Sequence, residues 1–527
     1  MNGAEKLLET LINNGVEICF ANPGTSEMQL VSAIGDSDGM RPVLCLFEGV
    51  VSGAADGYAR MKDKPAATLL HVGSGFSNSM ANQHNAKRAH VPLVNIVGDH
   101  ATYHLQYDSP LTADVPAHAA ICSDWVKVSA SADDLGDAGA EAIQAAMTGA
   151  GKIATLIAPA NHAWEETTEA AISLPLPTAE IVSSDTITEV SKALSNGKAS
   201  ALFLGSRALR EDSLNSAGRI AEKTGVRIIC ETFPTRLQRG AGRVAVERLP
   251  YFAEQAEEFL KGFEQLIFVG AKPPVAFFAY PGKKSWLIDE SCKLITLATV
   301  DQDQKSALEA VADQLSTTAI PTTTPPLPEE VRVAATQGPV ATGDLTPLAM
   351  SQSISTLMPA NAIISDEAAT CGMTLFPATM NAPAHDWLTL TGGAIGQGLP
   401  LSLGASLACP DRKVIALQAD GSAMYTVQAL WSMARENVDV TVVILNNRSY
   451  AILNIELARV GAGKPTAKTL SMLDLSRPDM NWVEISTGMG VPASRATSAE
   501  EFHQQFAQAM ATKGPHLIEA MVVQQMP

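Results

Sequence analysis

The sequence predicts an α/β protein made of three doubly wound parallel-sheet domains, and three observations carry that prediction. Short apolar runs alternate with stretches of helical periodicity along most of the chain, the pattern of parallel strands joined by crossover helices. Those runs end in polar or glycine-rich turns, where an open parallel sheet collects its ligands. The 527 residues, 46% hydrophobic and 17% charged, suit about three globular domains with ample core. A Pro- and Thr-containing stretch at 165–185 and a longer one at 316–344 read as linkers. The expected domains are therefore 1–165, 185–315 and 345–527.

Taken in order, residues 3–14 place Leu7, Leu8, Leu11 and Ile12 on one helical face, with Gly15 as the stop. Val16 to Phe20 reads as the first strand, closing at Asn22-Pro23-Gly24-Thr25-Ser26. Val43 to Phe47 reads as the second and runs into Glu48. Gly49 to Arg60 is rich in small residues, which predicts a helix pressed closely against another backbone. Ala67 to His71 is the third strand, closed by a glycine-rich turn, Gly73-Ser74-Gly75; Val91–Val97 and Ile153–Ala158 follow. In the middle domain strands are expected at Ala201–Leu204, Val226–Cys230, Gln265–Val269 and Lys293–Leu297.

The C-terminal domain starts with a helix after Thr346 and a strand, Ile363-Ile364-Ser365, that ends at Asp366-Glu367. Leu388 to Thr391 leads into a glycine turn, Gly392 to Gly396. Val414 to Leu417 is a buried parallel strand ending at Asp420-Gly421-Ser422. Val427, Leu430, Trp431 and Ala434 then recur at helical spacing, and Val440 to Leu445 stops at Asn446-Asn447. Both polar clusters fall at C-terminal strand ends, so they face one crevice. One carboxylate, one amide carbonyl and nearby backbone carbonyls form an all-oxygen set suited to Mg²⁺, which commonly keeps phosphate oxygens as further ligands.

Composition narrows the classes. A formal charge of −18, from 37 basic and 55 acidic residues, argues against a nucleic-acid-binding surface. Seven cysteines lie far apart without paired spacing and read as reduced, mostly buried thiols. No basic-then-apolar leader and no membrane-length apolar run is seen, so a cytoplasmic protein is expected.

Asp-Gly-Ser followed by Asn-Asn, with 24 residues between Gly421 and Asn446, resembles the motif that holds thiamine diphosphate (ThDP) and Mg²⁺; Ala419 stands where that motif usually opens with glycine. Asn22-Pro23-Gly24-Thr25, then the segment Phe47 to Arg60, then Leu70-His71-Val72-Gly73-Ser74-Gly75 resemble the pyrimidine-binding domain of the same superfamily. Within it the similarity is greatest to benzoylformate decarboxylase and to acetolactate-synthase-like proteins. The resemblance spans essentially the whole chain and implies pyrimidine-binding, middle and diphosphate-binding domains in that order.

By this resemblance Glu48 is the glutamate that activates the cofactor through its pyrimidine ring nitrogen. His71 matches an active-site histidine and Thr25 a neighbouring hydroxyl that contacts the substrate carboxylate. Gly393 matches a backbone carbonyl that receives the cofactor's amino group, and Ile395 the apolar residue that wedges the cofactor into its bent form. Asp420, Asn447 and the Ser449 carbonyl match the Mg²⁺ ligands; Gly421, Ser422 and Tyr450 match cofactor contacts. The second histidine of benzoylformate decarboxylases would align with Pro274 to Tyr280, where this chain has none. Acetolactate synthases bind FAD in the middle domain; no flavin signature stands out here, and FAD is not favoured. The implied activity is non-oxidative decarboxylation of a 2-oxo acid to an aldehyde. Acetolactate-synthase-like carboligation and ThDP-dependent C–C cleavage are the alternatives. A homodimer or homotetramer with active sites shared between subunits is also implied.

Overall fold

The computed structural model describes residues 1–167, 170, 172–317 and 341–523. Most of the expected 316–344 linker, part of the 165–185 linker and the last four residues lie outside the described residues.

Three sheets organise the chain. The first comprises β1 (Ile18–Ala21), β2 (Arg41–Leu44), β3 (Ala66–His71), β4 (Leu93–Asp99), β5 (Trp125–Val128) and β6 (Ile153–Pro159), all parallel in the order β2-β1-β3-β4-β6-β5. Its interior strands are almost wholly buried, because helices cover both faces. The two strands that differ most from expectation are at its edges. Pro42 sits within β2, which an edge strand tolerates. β5 went unpredicted because it is four residues long, half exposed and interrupted by Lys127.

Of the next six strands, β7 (Ser200–Leu204), β8 (Arg227–Cys230), β10 (Glu247–Arg248), β11 (Gln265–Val269) and β12 (Lys293–Ala298) form a parallel sheet in the order β10-β8-β7-β11-β12. The other, β9 (Arg236–Arg239), leaves the middle segment and pairs antiparallel with β14 (His385–Thr389) of the third sheet. That sheet runs β17 (Ala493–Ala496), β18 (His516–Met521), β16 (Val440–Asn446), β15 (Val414–Ala419), β13 (Ile363–Glu367), β14, β9. Sequence alone predicts none of β9, β10, β17 or β18. The expected Leu388–Thr391 strand begins earlier, at His385.

The helix expected over Gly49–Arg60 spans Glu48–Lys62 and makes the close approach its small residues predict. Its partner is the helix Gly398–Ala408 of the third sheet. A Cβ on Gly57 would lie 2.0 Å from the Leu401 carbonyl oxygen, and one on Gly404 only 1.8 Å from that of Ala54. Backbone therefore rests on backbone, and the first and third sheets share one apolar core that includes Phe20, Val50, Leu399 and Leu403. All seven cysteines are free thiols, six of them buried. Among the described residues no helix is long and apolar enough to cross a membrane.

Candidate active site

The first crevice lies at the carboxyl ends of β1, β2 and β3, where the strand order reverses. Glu48 is here, but as the first residue of its helix rather than the last of a strand, with Phe47 in the cap position. Its carboxylate is 7% exposed. Asn22 Nδ2 donates to Oε1 at 3.1 Å and Asn78 Nδ2 to Oε2 at 2.9 Å.

His71 closes β3, and the glycine turn expected after it is instead the first turn of the helix Val72–Ala89. The imidazole packs flat on Gly24, where a Cβ would lie 2.3 Å from Nδ1. That nitrogen is 3.1 Å from Ser26 Oγ and 3.0 Å from Glu27 Oε2. Glu27, fully buried, accepts from Gly24 N–H at 2.6 Å and from the Ser26 hydroxyl at 2.7 Å. Burial pushes its carboxyl up, while these donors and His71 pull it back. Thr25 is exposed, and Ser26 is the hydroxyl that reaches His71. Sequence reasoning missed both Ser26 and Glu27. Gly98 makes room for the Glu27 carboxylate, since a Cβ there would lie 1.9 Å from Oε1, a fit that only the fold reveals.

The second crevice is the reversal between β13 and β15. Asp420 follows β15 and starts the short helix Asp420–Ala423, in place of the expected turn. Oδ1 accepts Gly421 N–H at 2.9 Å and Oδ2 accepts Arg448 N–H at 2.8 Å. Burial holds this carboxyl up to about 6, and only backbone donors oppose it. A buried carboxylate without a counter-charge suits a hard cation. Asn447 Oδ1, which accepts Ser449 N–H at 3.0 Å, and the Ser449 carbonyl are the other expected oxygens. Among the described residues no group of three or more His, Cys, Asp or Glu side chains could hold a metal. A cation here would depend on Asp420 for its carboxylate, and this donor set fits Mg²⁺ completed by phosphate oxygens.

Tyr450 lies over Gly421, where a Cβ would be 2.4 Å from its ring, and the Ser422 hydroxyl donates to the Ala419 carbonyl at 3.1 Å. Gly393 takes φ +74°, a conformation that favours glycine, and Phe277 packs where its Cβ would be. Ile395 is half-buried, leaving an apolar face free beside the loop.

Helix Val72–Ala89 ties the two crevices together within the chain. Asn78 holds Glu48; Asn82 donates to the carbonyls of Gly49 and Gly396 at 2.8 and 3.2 Å; Asn85 donates to Ala394 O at 2.7 Å and accepts its N–H at 3.1 Å. Spacings of four and three put these asparagines on one helix face, a signal legible in the sequence but not used. Behind them lies a buried ion pair, Asp56–Arg60, closed by two contacts of 2.7 Å. Arg60 also donates to Thr389 O, Thr235 O and Thr391 Oγ1.

Comparison with known proteins agrees with this geometry. Residues 1–119 match the thiamine pyrophosphate enzyme N-terminal TPP binding domain, and residues 369–520 the corresponding C-terminal TPP binding domain. The chain is 50% identical over 523 residues to a Mycobacterium tuberculosis protein named "Putative acetolactate synthase large subunit IlvX", covering 99% of both chains. It is 28% identical over 535 residues to benzoylformate decarboxylase of Pseudomonas aeruginosa, covering 97% of each. A ThDP-dependent 4-hydroxybenzoylformate decarboxylase from Rhodococcus jostii superposes over the full length of both chains, with a TM-score of 0.85 and 26% identity. With both binding-domain matches falling on the two crevices, and a half-identical relative along its whole length, the chain belongs to the thiamine diphosphate-dependent enzyme family.

Proposed function

We propose that this protein uses ThDP and Mg²⁺ to decarboxylate a 2-oxo acid without oxidation and release an aldehyde. One observation carries the reading: the doubly hydrogen-bonded carboxylate of Glu48 and the Glu27–His71 pair share the carboxyl edge of one sheet. Bound ThDP supplies a nucleophilic carbon and an electron sink for the carbanion left when CO₂ departs. Glu48, gripped by Asn22 and Asn78, exchanges a proton with a ring nitrogen of the cofactor. His71 gives its Nδ1 proton to the Glu27 bond, which leaves Nε2 to move a proton at the reacting centre. Asp420, Asn447 and Ser449 hold the cation, with Gly421, Ser422 and Tyr450 around the diphosphate. Gly393 and Ile395 orient the pyrimidine and thiazolium ends.

A second reading, addition of the decarboxylated acid to another carbonyl compound, is favoured by the name carried by the M. tuberculosis relative. The FAD associated with acetolactate synthases is not part of this reading, which the middle sheet supports. Its strand order reverses between β7 and β11, the position for a dinucleotide, and two of the chain's own polar side chains reach the loop after β7 there. Buried Gln304 accepts Ala208 N–H through Oε1 at 2.8 Å. The Glu231 carboxylate lies on Gly205, 3.0 Å from where a Cβ would be. The Ala208 N–H is thus engaged by a side chain and not free for a phosphate.

The domain division 1–165, 185–315 and 345–527 is supported by the three sheets, with β9 as the one strand exchanged. A homo-oligomer with shared sites is supported by exposed Tyr103, Tyr107 and Leu111 on the segment after β4, an apolar surface at the same sheet edge as His71.

A panel of 2-oxo acids, followed by simultaneous detection of CO₂, aldehyde and 2-hydroxy ketone, tests the activity. Aldehyde with CO₂ is expected. Hydroxy ketone as the sole organic product would select the second reading, and no CO₂ from any acid would overturn decarboxylation. Asp420→Ala is expected to abolish Mg²⁺-dependent ThDP binding by calorimetry, since it removes the cation's carboxylate; retained affinity would contradict the cation site.

A further inference from the structure

We propose that Glu367 is a positioning residue for the cofactor, the buried anchor that fixes the Gly392–Gly398 loop and couples it to the Asp420–Ser422 segment. This rests on the ThDP site described above and assigns a role to a residue outside the sequence motifs.

Four of the seven residues from 392 to 398 are glycines, two of them with positive φ: Gly393 at +74° and Gly396 at +95°. Such a loop has little intrinsic shape, yet it must present the Gly393 carbonyl and the Ile395 side chain at fixed positions. Its shape is imposed from outside. Asn85 holds Ala394 through both peptide groups; Asn82 and Thr426 donate to the Gly396 carbonyl. Asp56 accepts from the Gln397 side chain, and Glu367 adds a carboxylate that grips the loop's own N–H groups. One carboxylate oxygen accepts Gly396 N–H at 2.6 Å and the other accepts Gly398 N–H.

Three features separate this carboxylate from an ordinary helix cap. It is 4% exposed, and among the described residues it pairs with no lysine or arginine, its donors being backbone N–H groups. An isolated buried carboxylate is costly. Here it is compensated by two backbone N–H groups, that of Gly398 lying at the start of the helix Gly398–Ala408, where the helix dipole also favours negative charge. Second, the Gly396 bond lies outside the helix, within the loop itself. Third, Gln418 is the residue of β15 paired with Glu367 of β13, and its Nε2 donates to Ser422 Oγ at 2.5 Å. Glu367 thus sits at the end of β13, and Asp420 just beyond β15, on the two sides of the same strand-order reversal. There is no slack in this arrangement: a Cβ on Gly398 would lie 2.2 Å from Gln418 Oε1 and 3.0 Å from Glu367 Oε2. Burial pushes the Glu367 carboxyl up to about 7, against the pull of its N–H donors.

Glu367→Gln keeps the shape but turns one acceptor into a donor facing a backbone N–H. Apo-protein titrated with ThDP at saturating Mg²⁺, read by tryptophan fluorescence, should show affinity weakened by about 10–100-fold, the range of supporting-residue effects at bound groups. The KM for ThDP should rise in parallel, with kcat at saturating ThDP changed far less. Glu367→Asp, which retains the charge but reaches only one N–H, should fall between wild type and Gln, and serves if the Gln variant does not fold. Thermal stability of the apo forms is measured alongside. A lower melting temperature with unchanged ThDP affinity in both variants would make Glu367 a structural residue only and overturn the proposal. Wild-type protein that failed to bind ThDP in the same titration would overturn the underlying site reading instead.

Discussion

Glu48→Gln is expected to bind ThDP but to exchange the cofactor's C2 proton about 10²–10⁴-fold more slowly than wild type, the usual worth of a positioned acid–base group. The structure explains why even this small change should be severe. Both carboxylate oxygens are acceptors, met by the amide donors of Asn22 and Asn78. A glutamine has one oxygen and one NH₂, so one asparagine must face another donor or turn away. A Cβ on Gly75 would lie 3.3 Å from Glu48 Oε1, so the first turn of the helix Val72–Ala89 passes close beside this carboxylate. Hydrogen–deuterium exchange at C2, measured by acid quench and NMR, separates this effect from binding. An exchange rate matching wild type would remove Glu48 from the activation step.

Arg60→Ala is expected to destabilise the protein by about 3–5 kcal/mol, the cost of removing one partner of a buried ion pair. Both side chains are fully buried, and among the described residues Asp56 would keep its charge with Gln397 Nε2, at 2.5 Å, as its one remaining side-chain donor. Three further acceptors, Thr389 O, Thr235 O and Thr391 Oγ1, would lose their donor. These reach from the helix Glu48–Lys62 to β14, to the stretch before β9 and to the entrance of the glycine loop, so cofactor affinity should fall with stability. Urea unfolding midpoints report the first effect and ThDP titration the second. Replacing both members, Asp56→Asn with Arg60→Met, should recover part of the loss, because it leaves no unpaired buried charge. A loss below about 1 kcal/mol for Arg60→Ala would place the pair among ordinary surface bridges.

The sequence by itself determined the α/β class, because buried parallel strands declare themselves as apolar runs whatever they pack against. It also placed Asp420 and Asn447 at strand ends that converge on a crevice, whereas Glu48 and His71 stood out only through the resemblance of their flanking segments. The close approach of the helix beginning at Glu48 was legible in its glycines and alanines, although its partner was not. Tertiary structure alone decided the rest. Ser26-Glu27 reads as an exposed polar turn until the fold brings His71 and the vacant side of Gly98 against it. Thr25 and Ser26 are adjacent hydroxyls, and only the path of the turn determines which one meets the imidazole. β9 carries Arg-Leu-Gln-Arg, with no apolar periodicity to assign it to either neighbouring sheet. Its place is decided by partners far along the chain: Arg236 bonds Asp386 at 2.7 Å and Arg239 lies over the Phe376 ring at 3.7 Å. Strand runs and turns are set by neighbours in sequence, whereas buried polar groups are set by whichever distant atoms satisfy them.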